Sequence, residues 1–282
     1  MIFNYYINLE STVIDYLNSY YISKTKIYIL FRDKNILLNN HECKREDKIK
    51  KGDIISIIQD EEVDYIPFNK KIDILYEDDY LLIINKQPNI AIHEGKNVSS
   101  SLANMVANYY LENNINLNIR FAHRLDIETS GIIIFAKDLL TFSYLNHIIE
   151  NHTLERYYRL IINGKLKDKS GKIDLPLSEN RHNSSMIVNK NGKRAITNYK
   201  LIKEYDSYSY VECKLLTGRK HQIRCHFSYI GNPLIGDIEY NDKSKLAKRV
   251  MLHSYKVKFI HPVYGEELNV IAEIPSDMQK LL

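Results

Sequence analysis

The stretch His123-Arg124-Leu125-Asp126-Ile127-Glu128-Thr129-Ser130-Gly131-Ile132-Ile133-Ile134-Phe135-Ala136-Lys137 organises the reading of this chain. Residues 131–136 are continuously apolar, as a strand buried on both faces requires. An imidazole, a guanidinium and a carboxylate stand together just before it, where a rigid element can fix a loop side chain. Taken alone, these residues also describe an ordinary Arg–Asp surface pair at a turn, worth ~1 kcal/mol or less. Spacing by itself favours that second reading.

Working outward, residues 74–86 (ILYEDDYLLIINK) predict two strands around the turn Glu77-Asp78-Asp79. Residues 99–113 place Leu102, Met105, Val106 and Tyr109 on one helical face, with Ser99 or Ser100 as the N-cap. Residues 139–149 repeat the helical pattern. Farther on, Val211, Cys213 and Leu215 share one strand face, and Tyr255, Val257 and Phe259 another. Strands and helices mix without regular alternation, so the expected class is α+β.

Toward the N-terminus, residues 24–51 hold nine Lys/Arg against four acids. Val13, Ile14, Leu17 and Tyr21 mark a helical face, and residues 36–40 and 51–57 read as short strands, with Gly52-Asp53 at a tight turn. A basic helical hairpin on a small sheet is one way to present cations to phosphates. The stretch Asp60-Glu61-Glu62-Val63-Asp64, followed by Pro67 and Lys70-Lys71, lacks apolar periodicity and reads as a linker. The expected domains are 1–62 and 72–282, joined by 63–71.

A second constellation, Leu216-Thr217-Gly218-Arg219-Lys220-His221-Gln222-Ile223-Arg224-Cys225-His226, gathers three cations, two histidines and a glutamine at the end of a predicted strand. It describes either an anion-facing element with one Arg turned inward or a solvated basic helix. His221, Cys225 and His226 lack a second ligand pair at zinc-site spacing. Residues 181–226 carry ten Lys/Arg and three acids, and residues 243–258 carry six Lys/Arg and none, so cations can gather on one face. The 22 tyrosines either stack on bases or sit half-buried in the core.

At 282 residues and a formal charge of +4, the chain accommodates one large domain and a small one, and nucleic acid is allowed but not demanded. No apolar run approaches the ~20 residues of a membrane span. The start MIFNYYINLE lacks a continuous apolar leader, so export is not expected. Three widely spaced cysteines without CxxC argue against a disulfide scaffold or zinc ribbon and for a reducing cytosol. GxGxxG, GxxxxGK[ST] and HExxH are all missing, so no nucleotide cofactor or metal is expected.

Taken in order, the motifs resemble those of the RluA family of RNA pseudouridine synthases. The block at residues 123–131 with Ala136-Lys137 matches that family's catalytic motif, and residues 75–86 its opening motif. Arg156-Tyr157-Tyr158 with Gly164, residues 217–224, 231–237, Leu252-His253 and His261-Pro262 follow in series. The resemblance covers about residues 72–275. Residues 1–60 resemble, more loosely, the small αL-type RNA-binding domain often fused to this family. One departure is Asn85-Lys86-Gln87-Pro88-Asn89, where relatives usually place Pro directly after Lys; it implies altered turn chemistry.

The resemblance implies a mixed, largely antiparallel central sheet flanked by helices, preceded by a small α+β RNA-binding domain. It implies isomerisation of uridine to pseudouridine with no cofactor, in ribosomal RNA of the large subunit or alternatively in transfer RNA. Asp126 would be the essential carboxylate acting on a flipped-out base, and Arg224 its buried partner. Tyr158 would pack on the uracil, Arg124 would fill the vacated stack, and His123 would shape the loop. Lys220, Lys248 and Arg249 are candidates for phosphate contacts or solvated surface charges. A non-catalytic RNA-binding protein of the same fold is the competing reading. Monomers are common among relatives.

Overall fold

The computed structural model describes residues 1–93, 100–181 and 185–282. The α+β expectation holds. A ten-stranded sheet runs in spatial order Ser170–Asp174, Ile196–Glu204, Tyr208–Leu215, Glu155–Asn163, Leu252–Ile260, Ser130–Ala136, Leu81–Lys86 and Ile74–Glu77. Glu267–Ile271 adds beside Leu252–Ile260, and Arg120–Phe121 beside Ser130–Ala136. Among the described residues every pairing in it is antiparallel except one. Ser130–Ala136 meets Leu252–Ile260 in parallel, and only at Ser130 with His253 and Gly131 with Ser254.

That brief parallel seam joins the two halves of the sheet, and Gly131 makes it possible. Its φ is +109°, and a Cβ there would lie 2.2 Å from the Ser254 carbonyl oxygen, so only glycine lets the two backbones approach this closely. On one side of the seam, Ile132, Ile133, Ile134 and Phe135 are fully buried beneath the helices Leu102–Glu112 and Leu139–Glu150. On the other side, Tyr158, Leu160, Val211, Cys213 and Leu215 pack with Ile223 and Phe227 of the helix Gln222–Tyr229. Leu125, half-buried, packs against both cores.

Local chemistry moves several expected boundaries. The helix Leu102–Glu112 is capped by Ser101, not Ser100, and Ser99 lies outside the described residues. Asn104 decides this: the Ser101 N–H donates to its Oδ1 at 2.9 Å while the Asn104 N–H donates to the Ser101 hydroxyl, a reciprocal cap. Tyr255 leaves the face shared by Val257 and Phe259, because an extra residue on this strand opposes the step from Tyr157 to Tyr158. Its ring instead lies 4.5 Å from the Arg159 guanidinium. Such a bulge re-aims side chains, here beside Tyr158.

The N-terminal part forms its own four-stranded sheet in the order Ile2–Tyr6, Ile54–Ile58, Ile36–Leu38, His41–Glu42, with helices Val13–Ser19 and Lys24–Arg32. The strand expected over 36–40 stops at Leu38, since Asn39 and Asn40 turn with φ of +50° and +66°. Tyr20, not Tyr21, enters the core, because the first helix ends at Ser19 and Tyr21 turns at φ +58°.

This part shares one hydrophobic core with the large sheet, running from Phe3 to Ala272. The buried Tyr5 hydroxyl donates to Asp138, and the same carboxylate caps the helix Leu139–Glu150 through the N–H groups of Leu140 and Thr141. Tyr20 donates to the Pro262 carbonyl at 3.1 Å. The joining segment has irregular backbone, yet Val63, Tyr65 and Phe68 pack on the core, Glu61 pairs with Arg120, and Asp64 accepts from the Ile119 N–H at 2.7 Å. The segment expected as a linker is thus a strap packed on the core.

Candidate active site

Residues 122–129 form the loop that enters the strand Ser130–Ala136, begun by the Ala122 N–H donating to the Ile134 carbonyl at 2.8 Å, and three further ties to its backbone hold it. The Thr129 N–H donates to the Asp126 carbonyl at 3.1 Å, Lys86 Nζ to the Ile127 carbonyl at 3.0 Å, and Arg249 to the Glu128 carbonyl at 3.3 Å. With Leu125 wedged between the two cores, Asp126 is presented at the rim of a cleft of about 1290 Å³. Its side chain keeps 27% of its exposure.

The helix Gln222–Tyr229 brings the cation. Gln222 fixes its start, accepting from the Thr217 hydroxyl at 2.8 Å and the Arg219 N–H at 3.0 Å while donating to the Ile196 carbonyl. Arg224, two residues on, is 4% exposed. Its guanidinium is held in two parallel bonds by the fully buried Asp237, at 2.7 and 2.8 Å, and reaches Glu239 at 2.9 Å. The remaining Nη1 lies 3.4 Å from Asp126 Oδ2. Burial works against the charge of Arg224, but Asp237, then Asp126 and Glu239, more than offset it and raise its pKa. One guanidinium thus fixes the direction of the Asp126 carboxylate, as a charge-assisted pair does.

Except for Arg249, every residue expected in the site lines this cleft: His123, Arg124, Asp126, Tyr158, Lys220, Arg224 and Lys248. Arg124, Lys220 and Lys248 are exposed, and Lys220 pairs with Glu179 at 3.3 Å. Tyr158 is buried on its strand, and burial pushes its pKa up, so its hydroxyl stays protonated at neutral pH. His123 is buried as well; burial, with Arg156 adding, drives its pKa down to about 3. It is therefore neutral, consistent with a part of the loop rather than a proton acceptor at neutral pH.

Arg249 is a correction. It is buried, clasped by Asp277 at 2.6 and 2.8 Å, and donates to the carbonyls of Glu128 and Val250. No phosphate is needed to satisfy it; it braces the backbone of the loop 122–129 at Glu128.

Sequence reasoning assigned no role to Asp237, Glu239, Tyr240 or Lys86. Asp237 reaches Arg224 because Gly236 turns at φ +81°, where a Cβ would lie 1.8 Å from the Arg249 carbonyl oxygen. The Gly236-Asp237 pair was the available signal. Lys86 is wholly buried, donating to the carbonyls of Gln87, Ile90 and Ile127 at 3.1, 2.9 and 3.0 Å. The turn after it, with Asn89 at φ +62°, supplies two of those carbonyls and wraps the ammonium. Burial lowers the Lys86 pKa to about 7, with Arg249 adding and Asp126 opposing. Among the described residues no group of three His, Cys, Asp or Glu is placed to hold a metal ion.

The family model described as RNA pseudouridylate synthase matches residues 80–229. The chain is similar to the uncharacterized RNA pseudouridine synthase YhcT of Bacillus subtilis, 38% identical over 92% of this chain and 88% of that one. It is similar to the ribosomal large subunit pseudouridine synthase D of Neisseria meningitidis, 31% identical over 92% of this chain and 74% of that one. The human RNA pseudouridylate synthase domain containing 4 shares the fold, with a TM-score of 0.62 at 22% identity over 74% of this chain and 92% of that one.

Proposed function

Because the chain belongs to the RluA family of RNA pseudouridine synthases, we propose that it isomerises uridines of large-subunit ribosomal RNA through Asp126. As an isomerase it breaks the bond from N1 of uracil to C1′ of ribose, turns the base, and joins C5 to C1′. The C5 hydrogen leaves and N1 gains a proton, so no oxidant and no energy source enter the balance.

The observation that carries the assignment is the Arg224–Asp126 contact of 3.4 Å at the cleft rim, with Arg224 anchored behind by Asp237. A carboxylate so aimed can act on the sugar or the ring of an extruded nucleotide. The ring of Tyr158 gives the base a face to pack on, and the exposed Arg124 can occupy the gap left in the RNA stack. Lys220 and Lys248 meet phosphates at the rim. The N-terminal helices and their basic loops add RNA contacts, and the enzyme works as a cytoplasmic monomer. The ribosomal target is supported by the similarity to a relative named for the large ribosomal subunit.

The test is to incubate the full chain with an unmodified large-subunit ribosomal RNA transcript and, separately, with unmodified transfer RNA, then map pseudouridine by primer extension after carbodiimide treatment. Pseudouridine is expected in the ribosomal transcript. Asp126→Asn should lower its formation ~10³-fold or more with RNA affinity nearly unchanged. Modification of transfer RNA alone would replace the target, and turnover by Asp126→Asn near the wild-type rate would refute the carboxylate's role.

A further inference from the structure

Arg224 reaches one oxygen of Asp126, and a second side chain faces the other. His221 Nε2 lies 3.9 Å from Asp126 Oδ1, while its Nδ1 lies 3.0 Å from the Tyr240 hydroxyl. Tyr240 is buried and already accepts the Met186 N–H at 2.7 Å. The phenol's own hydrogen is left for His221 Nδ1, its remaining hydrogen-bond partner among the described residues, while Glu239 Oε1, 3.6 Å from the same nitrogen, lies beyond hydrogen-bond range. An Nδ1 that accepts leaves the proton of the neutral ring on Nε2, pointed at Asp126. A backbone N–H, a phenol and an imidazole thus form a line ending at the carboxylate.

Backbone geometry points the same way. His221 stands at φ +50°, left-handed for a non-glycine residue, at the start of the helix that carries Arg224. Such a conformation persists in a residue with a Cβ where the surroundings over-determine it. Its side chain is largely buried against the cleft wall. The charged groups facing it are Asp126 and Glu239, which favour protonation, and Arg224 and Lys220, which oppose it; burial dominates and keeps the ring neutral.

We infer that His221, oriented by Tyr240, is a positioning residue that donates from Nε2 to the Asp126 oxygen Arg224 does not reach. This rests on the assignment of Asp126 above. The carboxylate is then gripped from both sides, one oxygen by a fixed cation and one by a neutral donor. The 3.9 Å separation closes to hydrogen-bond range with a shift of ~1 Å, as catalytic contacts commonly do once substrate is bound. A neutral donor on that oxygen steers the carboxylate without adding a second positive charge, which would weaken it as a nucleophile or base.

Two measurements on the full chain test this. Nitrogen-15 spectra of histidine-labelled protein, with the His221 signal identified by its disappearance in His221→Gln, should show the Nε2–H tautomer, shifting toward a mixture in Tyr240→Phe. An Nδ1–H ring in the wild type would overturn the inference, whatever the RNA target proves to be. In single-turnover modification of the large-subunit transcript at saturating RNA, His221→Leu should be slower by about ten- to hundredfold with unchanged RNA affinity. His221→Gln, whose amide still donates, should recover part of that rate. A leucine variant at the wild-type rate, or a glutamine variant no faster than leucine, would equally overturn it. If the wild type left no pseudouridine in that transcript, the target assignment would fall, and the tautomer alone would decide the histidine's role.

Discussion

Asp126, Arg224 and Asp237 show how much chemistry three side chains can organise when each answers the need of the next. The buried guanidinium is tolerable because Asp237 neutralises it, and Asp126 is aimed because that guanidinium cannot rotate. Histidines elsewhere in the core follow the same accounting. His253 accepts from the Ser130 hydroxyl at 2.9 Å and donates from Nε2 to the Ala272 carbonyl at 3.2 Å, and burial lowers its pKa to about 4. Its folded pKa is depressed, so the unfolded chain binds the proton first as pH falls. The stability it contributes is full above pH ~6.5 and is lost progressively toward pH 4. At pH 5 the loss is ~2 kcal/mol. Urea unfolding of wild type and His253→Gln at pH 7.5 and pH 5 checks this: the variant should lose less between the two by about that amount, and equal losses would contradict it.

At the scale of elements, the meeting of Ser130–Ala136 with Leu252–Ile260 is the narrow point of the fold. It sets the loop that carries Asp126 on one half of the sheet beside the helix Gln222–Tyr229 on the other. Gly131→Ala would place a methyl group 2.2 Å from the Ser254 carbonyl oxygen on a backbone at φ +109°. It should destabilise by about 3 kcal/mol or more, since neither strand backbone can yield. Thermal unfolding would show this, and a variant melting within a degree or two of wild type would mean the seam is more pliable than drawn. The strands and helices of this region were largely legible from the alternation of Val211, Cys213 and Leu215 and the apolar run 131–136. The bulge at Tyr255 was not, because a single inserted residue has no signature in composition and is defined only against the partner strand.

The whole molecule behaves as one packed body in which the small N-terminal sheet leans on the large one through Tyr5, Tyr20 and Tyr80. Removing residues 1–62 to probe RNA binding would strip Asp138 of its tyrosine and uncover part of the shared core. A test that spares the packing neutralises the exposed Lys44, Lys48, Lys50 and Lys51 to Gln in the full chain. If these lysines meet phosphates, RNA affinity falls. The slope of log affinity against log salt then shrinks by ~0.7–0.9 for each phosphate that is no longer neutralised. An unchanged slope would remove these lysines from the RNA surface. The segment at residues 60–71 read as a linker because it lacks apolar periodicity, and its acids Glu61 and Asp64 gave no sign of their partners. Their partners, Arg120 and the Ile119 N–H, lie more than fifty residues away in sequence.

Read alone, the sequence was enough to establish the class of fold and the family and to single out the carboxylate on which the proposed chemistry turns, because those depend on local periodicity and on motifs whose order along the chain is itself information. Tertiary structure decided what lies across the chain from each motif. It turned Arg249 inward to Asp277, enclosed Lys86 in three carbonyls, and set His221 and Tyr240 in line with Asp126. Hydrogen bonds and ion pairs fall off within a few ångströms, so a charged residue's role is settled by neighbours that the order of the chain does not name.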